Sequence, residues 1–97
     1  MNEFDPKNLW EVHVIVWGRV QGVGFRVAAR HYALQLDLKG YVGNLGDGNV
    51  EIVAQGYREK LEEFISLIKE HFGPGYIARM DIKYRQFTND YQSFQII

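Results

Sequence analysis

Gly18-Arg19-Val20-Gln21-Gly22-Val23-Gly24-Phe25-Arg26 is the stretch on which the reading of this chain turns. An apolar, β-branched run, Val12-His13-Val14-Ile15-Val16-Trp17, leads into it. A pattern of period three and four leads out of it. Three glycines and an arginine therefore stand between an expected strand and an expected helix. Glycine lets the backbone take positive φ and approach a ligand closely. Successive amides in such a loop can converge on an oxyanion. The helix that follows adds N–H groups and the positive end of its dipole. Arg26 adds a planar, permanently charged fork suited to phosphate or carboxylate.

The alternation around this stretch gives the plan. Residues 10–18 read as a strand, with Val12, Val14 and Val16 on one face. Residues 25–37 read as a helix whose stripe is Phe25, Ala28, Ala29, Tyr32, Ala33 and Leu36. Residues 38–45 and 50–55 read as a hairpin about the turn Gly46-Asp47-Gly48-Asn49, and Gly56 is read as the end of its second strand. Residues 57–72 form an amphipathic helix on Tyr57, Leu61, Phe64, Ile65, Ile68 and Phe72, stopped by Gly73-Pro74-Gly75. Met80, Ile82 and Tyr84 alternate with charged residues in a fourth strand, and Phe94 and Ile96 mark a short closing one. The order is βαββαβ plus a terminal strand. The expected class is α+β, a ferredoxin-like α/β sandwich: a mostly antiparallel sheet with two helices packed on one face. Residues 1–9 read as a loose lead-in and residues 10–97 as one domain.

Composition narrows the chemistry. The 97 residues are 46% hydrophobic and 24% charged, with a net charge of −1. No global basic field draws in nucleic acid or an anionic membrane, so an anion site must be local. There are no cysteines, which removes disulfides, thiolate metal sites and cysteine nucleophiles. His13, His31 and His71 are scattered, and no pair has metal-ligand spacing. No run is long enough to span a bilayer, and no early segment has a signal-peptide core. The expectation is a cytoplasmic monomer that binds a small molecule, with no metal, nucleic acid or membrane partner.

Two common phosphate motifs fail. Phe25 follows Gly24 where the P-loop requires Lys-Ser/Thr, and Val27 stands where the dinucleotide fingerprint requires its third glycine. The stretch instead resembles the first signature of acylphosphatases. Gly40-Tyr41-Val42-Gly43-Asn44, followed by Gly48, Val50 and Gly56, resembles that family's second signature. The resemblance covers residues 12–97. It implies the ferredoxin-like plan and the hydrolysis of acyl phosphates to carboxylate and phosphate, with no cofactor. Arg26 matches the family's phosphate-binding arginine and Asn44 its water-orienting asparagine. Gln21, Gly22, Val23, Gly24, Phe25 and Arg26 match its backbone phosphate cradle. One position departs from the pattern. Gly43 stands where the family usually has a longer, often basic residue, a departure that bears on rate and substrate preference.

Two other readings compete. An RNA-recognition module shares the strand and helix order, and Lys39-Gly40-Tyr41 opens like one of its signatures. Gly43 and Leu45, however, occupy its aromatic positions. A non-catalytic or carbamoyl-phosphate-handling domain is the other, because the N-terminal domain of hydrogenase-maturation carbamoyltransferases is similar to this family.

Overall fold

The computed structural model describes residues 6–97. The part of the expected lead-in that covers residues 1–5 lies outside them. Pro6–Asn8 form a single 3-10 turn, and the chain then enters β1 (Leu9–Gly18). There follow α1 (Phe25–Gln35), β2 (Lys39–Asn44), β3 (Val50–Tyr57), α2 (Arg58–Phe72), β4 (Ile77–Gln86) and β5 (Phe94–Ile96).

The sheet order is β4-β1-β3-β2-β5. Every pairing is antiparallel except β2 with β5, which is parallel. Register follows from side-chain parity, because a one-residue slip would turn each apolar set to the wrong face. Val12 lies opposite Ala54, Val14 opposite Ile52 and Val16 opposite Val50, and Val42 also lies opposite Ile52. All of these are buried, in one cluster with Phe25, Ala29 and Ala33 of α1 and Leu61, Phe64 and Ile68 of α2. Both helices thus cover the same sheet face, giving the ferredoxin-like α+β fold expected from the sequence. Among the described residues no helix is long and apolar enough to cross a membrane.

Element ends differ from the sequence reading, most informatively at four places. Helix α1 stops at Gln35, not at Asp37. Asp37 adopts φ +57, its N–H donates to Leu34 O at 3.3 Å, and Leu38 N–H donates to Ala33 O at 2.9 Å. That is a Schellman-type ending, with aspartate in the left-handed position that glycine more often fills. Tyr57 caps α2 in an extended conformation (φ −68°, ψ 142°) and does not begin it. Gly56 does not break β3; it pairs with Trp10, and the strand runs on to Tyr57. A Cβ at Gly56 would lie 2.5 Å from Leu38 Cδ2, so this glycine makes room for packing. Strand β4 begins at Ile77, three residues before the alternation shows in the sequence.

Candidate active site

The loop between β1 and α1 is shaped by its glycines. Gly22 (φ +76°) and Gly24 (φ +80°) are both left-handed. A Cβ at either would meet nothing within 4 Å, so the backbone angle, not space, calls for glycine. Gly24 is the N-cap of α1 and no side chain caps the helix. The first helical bond runs from Ala28 N–H to Gly24 O at 3.0 Å. The N–H groups of Phe25, Arg26 and Val27 therefore have no helical acceptor.

Val20, Gly22, Gly24, Phe25, Arg26, Val27 and Ile96 line a hollow of about 160 Å³ over this loop. Phe25 is buried and pins the start of α1 against Phe72, with ring centroids 4.8 Å apart. The next residue along the helix, Arg26, is half-exposed. Among the described residues its guanidinium enters no hydrogen bond or ion pair. A hollow of about 350 Å³ opens at the opposite end of β1, around Leu9, Leu36, Lys39, Gly56 and Phe87. It is larger, but its glycine sits in an ordinary strand and serves packing. Chemistry therefore singles out the smaller hollow.

Asn44 is the last residue of β2, opposite Val50, and is exposed. It does not line the hollow. Its connection to the loop runs through Gln21. Gln21 Nε2 donates to Leu45 O and to Asn49 O, both at 2.9 Å. Those two residues close the β2–β3 turn, where Leu45 N–H donates to Asn49 O at 2.8 Å. Asp47 braces the turn by accepting from Asn49 N–H and Nδ2, each at 3.1 Å. The loop that carries Arg26 and the hairpin that carries Asn44 are thus tied by Gln21, inside the first motif, to Leu45 and Asn49 of the hairpin turn.

The sequence matches the family model for acylphosphatases over residues 12–96. The chain belongs to the acylphosphatase family. It is 44% identical over 86 residues to an acylphosphatase of Geobacillus kaustophilus (strain HTA426), covering 89% of this chain and 92% of that one. The structure of an acylphosphatase from Coxiella burnetii superposes with a TM-score of 0.83 at 33% identity, covering 99% and 100% of the two chains. Full-length HypF, solved in a phosphate- and nucleotide-bound form, matches at 28% identity and a TM-score of 0.79. That match covers 92% of this chain but 12% of HypF.

Within this acylphosphatase-family fold, three features escaped the sequence reading. Gln21 was expected to offer its backbone amide, and its side chain proves to be the tie to the hairpin. Nothing local in the sequence marks that contact, because both acceptors are main-chain carbonyls more than twenty residues away. Ile96 lines the hollow because β5 lies parallel to β2 at the sheet edge. Gly43 is buried under Ile97: a Cβ there would lie 2.6 Å from Ile97 Cγ1, and Ile97 N–H donates to Val42 O at 2.9 Å. Arg19 stays outside the hollow, with its N–H on Tyr76 O at 2.7 Å and its guanidinium 5.8 Å from the Tyr76 ring. The histidines are engaged elsewhere. His13 pairs with Glu51 at 2.8 Å, His71 Nδ1 with Tyr32 OH at 2.8 Å, and His31 with Gln35 at 3.2 Å.

Proposed function

We propose that this chain hydrolyses acyl phosphates to a carboxylate and inorganic phosphate. The observation that carries this reading is one hollow in an acylphosphatase-family chain. It joins two left-handed glycines, an uncapped helix start and an unpaired arginine. The phosphoryl oxygens would accept from the N–H groups of the Gln21–Arg26 stretch and from the Arg26 guanidinium. A water attacks phosphorus as the bond from phosphorus to the acyl oxygen breaks. The carboxylate leaves with that electron pair, and the water's proton passes to solvent or phosphate.

A carboxylate is a good leaving group, so the reaction asks little of a general acid. It asks for placement, and for stabilisation of charge on the phosphoryl oxygens as the bond loosens. Asn44 suits the role of placing the water. Its side-chain carbonyl accepts from water and its amide donates, and neither is a strong base. Among the described residues its side chain makes no hydrogen bond that would divert it. The reading needs no metal, so hydrolysis should persist in EDTA.

The test is hydrolysis of benzoyl phosphate by the purified protein in EDTA, with inorganic phosphate as a competitive inhibitor. Removing an electrostatic donor of this type costs on the order of a hundredfold in kcat. Arg26→Ala should lower kcat by that order and also raise the inhibition constant for phosphate. Asn44→Ala should lower kcat and leave phosphate inhibition nearly unchanged. Equal activity in all three proteins overturns the site assignment, and an inactive wild type overturns the function.

The likeness to part of HypF favours a second reading, a domain that binds phosphate without turnover. The coverage of stand-alone acylphosphatases, 92% and 100% of their lengths, weighs toward the enzyme. Phosphate binding by a protein that turns over no acyl phosphate would reverse that balance.

A further inference from the structure

The rim of the hollow indicates the acyl half of the substrate, an inference that rests on the reading above. Arg26 is the only charged side chain that lines the hollow among the described residues. Val27, the next residue on α1, is 67% exposed and Ile96 of β5 is 39% exposed, and both line it. The loop residue Val23 is exposed as well, and Ile97, beside Gly43, is 67% exposed. Of the large apolar side chains exposed among the described residues, only Leu34 and Tyr76 lie elsewhere. Single exposed apolar residues need no explanation. Their gathering on the three segments that surround one cation does.

We propose that Val27 and Ile96 form an acyl subsite, and that the site selects acyl phosphates with an apolar acyl group over those whose acyl group carries a second negative charge. The phosphoryl group claims the one cation of the hollow. An acyl chain leaving it then runs onto valine and isoleucine carbons. A distal carboxylate in that place would lose water and find no lining cation in return. Gly43 reinforces the choice. The strand position next to Asn44 offers no functional group of its own, and what packs over it is the Ile97 side chain.

The experiment compares kcat/KM for acetyl, butyryl, hexanoyl and succinyl phosphates, each divided by its uncatalysed rate. A fully buried methylene would give roughly fourfold, and a half-covered one about twofold. The expected rise from acetyl to hexanoyl phosphate, four methylenes, is thus roughly fifteenfold, with succinyl phosphate below butyryl phosphate. Val27→Ser and Ile96→Ser should each flatten the hexanoyl-to-acetyl ratio. Leu34→Ser, on the same helix but outside the hollow, should leave that ratio unchanged. The wild-type series decides the matter even if a variant folds poorly. Hydrolysis of all four at equal normalised rates, or a preference for succinyl phosphate, overturns the acyl subsite and leaves the hydrolase reading standing. Hydrolysis of none overturns both.

Discussion

Gln21→Ala tests whether the two halves of the site act as one. The side chain makes two hydrogen bonds of 2.9 Å, to Leu45 O and Asn49 O. An amide–carbonyl bond contributes about 0.5–1.5 kcal/mol net, and more is lost when the remaining partner is stranded. Neither carbonyl is stranded here. Asn49 O also accepts from Leu45 N–H at 2.8 Å, and Leu45 O accepts from Gly48 N–H at 3.2 Å. The loss therefore belongs in the lower part of the range, about 1–2 kcal/mol for the pair. For a domain of this size that lowers Tm by roughly 5–15 °C. The effect on activity should be larger than on stability. The lost tie frees the Arg26 loop to shift relative to the Asn44 hairpin, and misplacement of this kind costs about tenfold to a hundredfold in kcat. Gln21→Glu sharpens the test. It keeps the size, removes both donors and sets a carboxylate against two carbonyl oxygens, so near neutral pH it should be worse than alanine. The assays are thermal unfolding by circular dichroism and benzoyl phosphate turnover with phosphate inhibition, on folded protein at one temperature. If Gln21→Ala loses stability but keeps kcat and phosphate inhibition within twofold of wild type, Gln21 is only a brace and the coupling argument fails.

Four other outcomes follow from the same structure. Gly40→Ala should fail to fold or lose more than about 3 kcal/mol, because φ is +144° and the added Cβ would lie 1.9 Å from Val53 O. Gly43→Ala should be milder, costing about 1–2 kcal/mol in urea unfolding, because the added Cβ would lie 2.6 Å from Cγ1 of Ile97, an exposed side chain that can shift. The Tyr41 hydroxyl is pushed above its ordinary value of 10 by burial and then by the charge of Glu51, which accepts its hydrogen bond at 3.3 Å. Above pH 10 the unfolded chain releases that proton first. The stability tied to it, complete below pH 10, is then lost as pH climbs through the folded value. Tyr41→Phe should show a shallower fall in Tm above pH 10 than wild type, and parallel curves would contradict the assignment. Inorganic phosphate at about a hundred times its dissociation constant should stabilise wild type by about 2.7 kcal/mol. Arg26→Ala should show little of that gain at the same concentration, and an equal gain in both proteins would count against the arginine contact.

The fold was legible because its information is local and periodic. The valines of β1 alternate, α2 carries an apolar stripe at three-and-four spacing, and Gly46-Asp47-Gly48-Asn49 announces its turn. What escaped depends on partners far away in the chain. Alternation at Phe94 and Ile96 says strand, but not that the strand runs parallel to β2 and brings Ile96 to the hollow beside Arg26. Gly56 looks like a breaker until Leu38 is seen lying over it. Asp37 hides a helix end because aspartate there does the work of glycine. The left-handed glycines of the loop were legible, since their spacing between strand and helix carries the meaning. The Gln21 tie was not, since carbonyl acceptors have no signature in sequence.

The contrast between the two helices says where the chain departs from local preference. Helix α2 follows the dipole rule at its end, with Lys69 and His71, and at its start it carries Arg58 and Lys60 around Glu59 without a side-chain cap, Arg58 being held by Glu62 at 3.4 Å and by the Tyr84 ring at 3.5 Å. Helix α1 runs against it at its start: no acidic residue and no side-chain cap, but Arg26 in the first turn. A cation there is disfavoured by about 0.3–1 kcal/mol, and glycine in place of a capping side chain forgoes a few tenths more. Arg58 is balanced by its neighbours, whereas Arg26 has no partner among the described residues, so the cation at the start of α1 calls for a local cause. An anion at that end supplies one. It would accept from the open amides, reverse the sign of the dipole interaction and give Arg26 a partner. Arg26→Ala should accordingly raise the stability of the phosphate-free protein slightly while weakening its response to phosphate. A phosphate-free Arg26→Ala protein clearly less stable than wild type in urea would mean that the arginine supports the fold in some other way. The argument from the inverted helix start would then be lost.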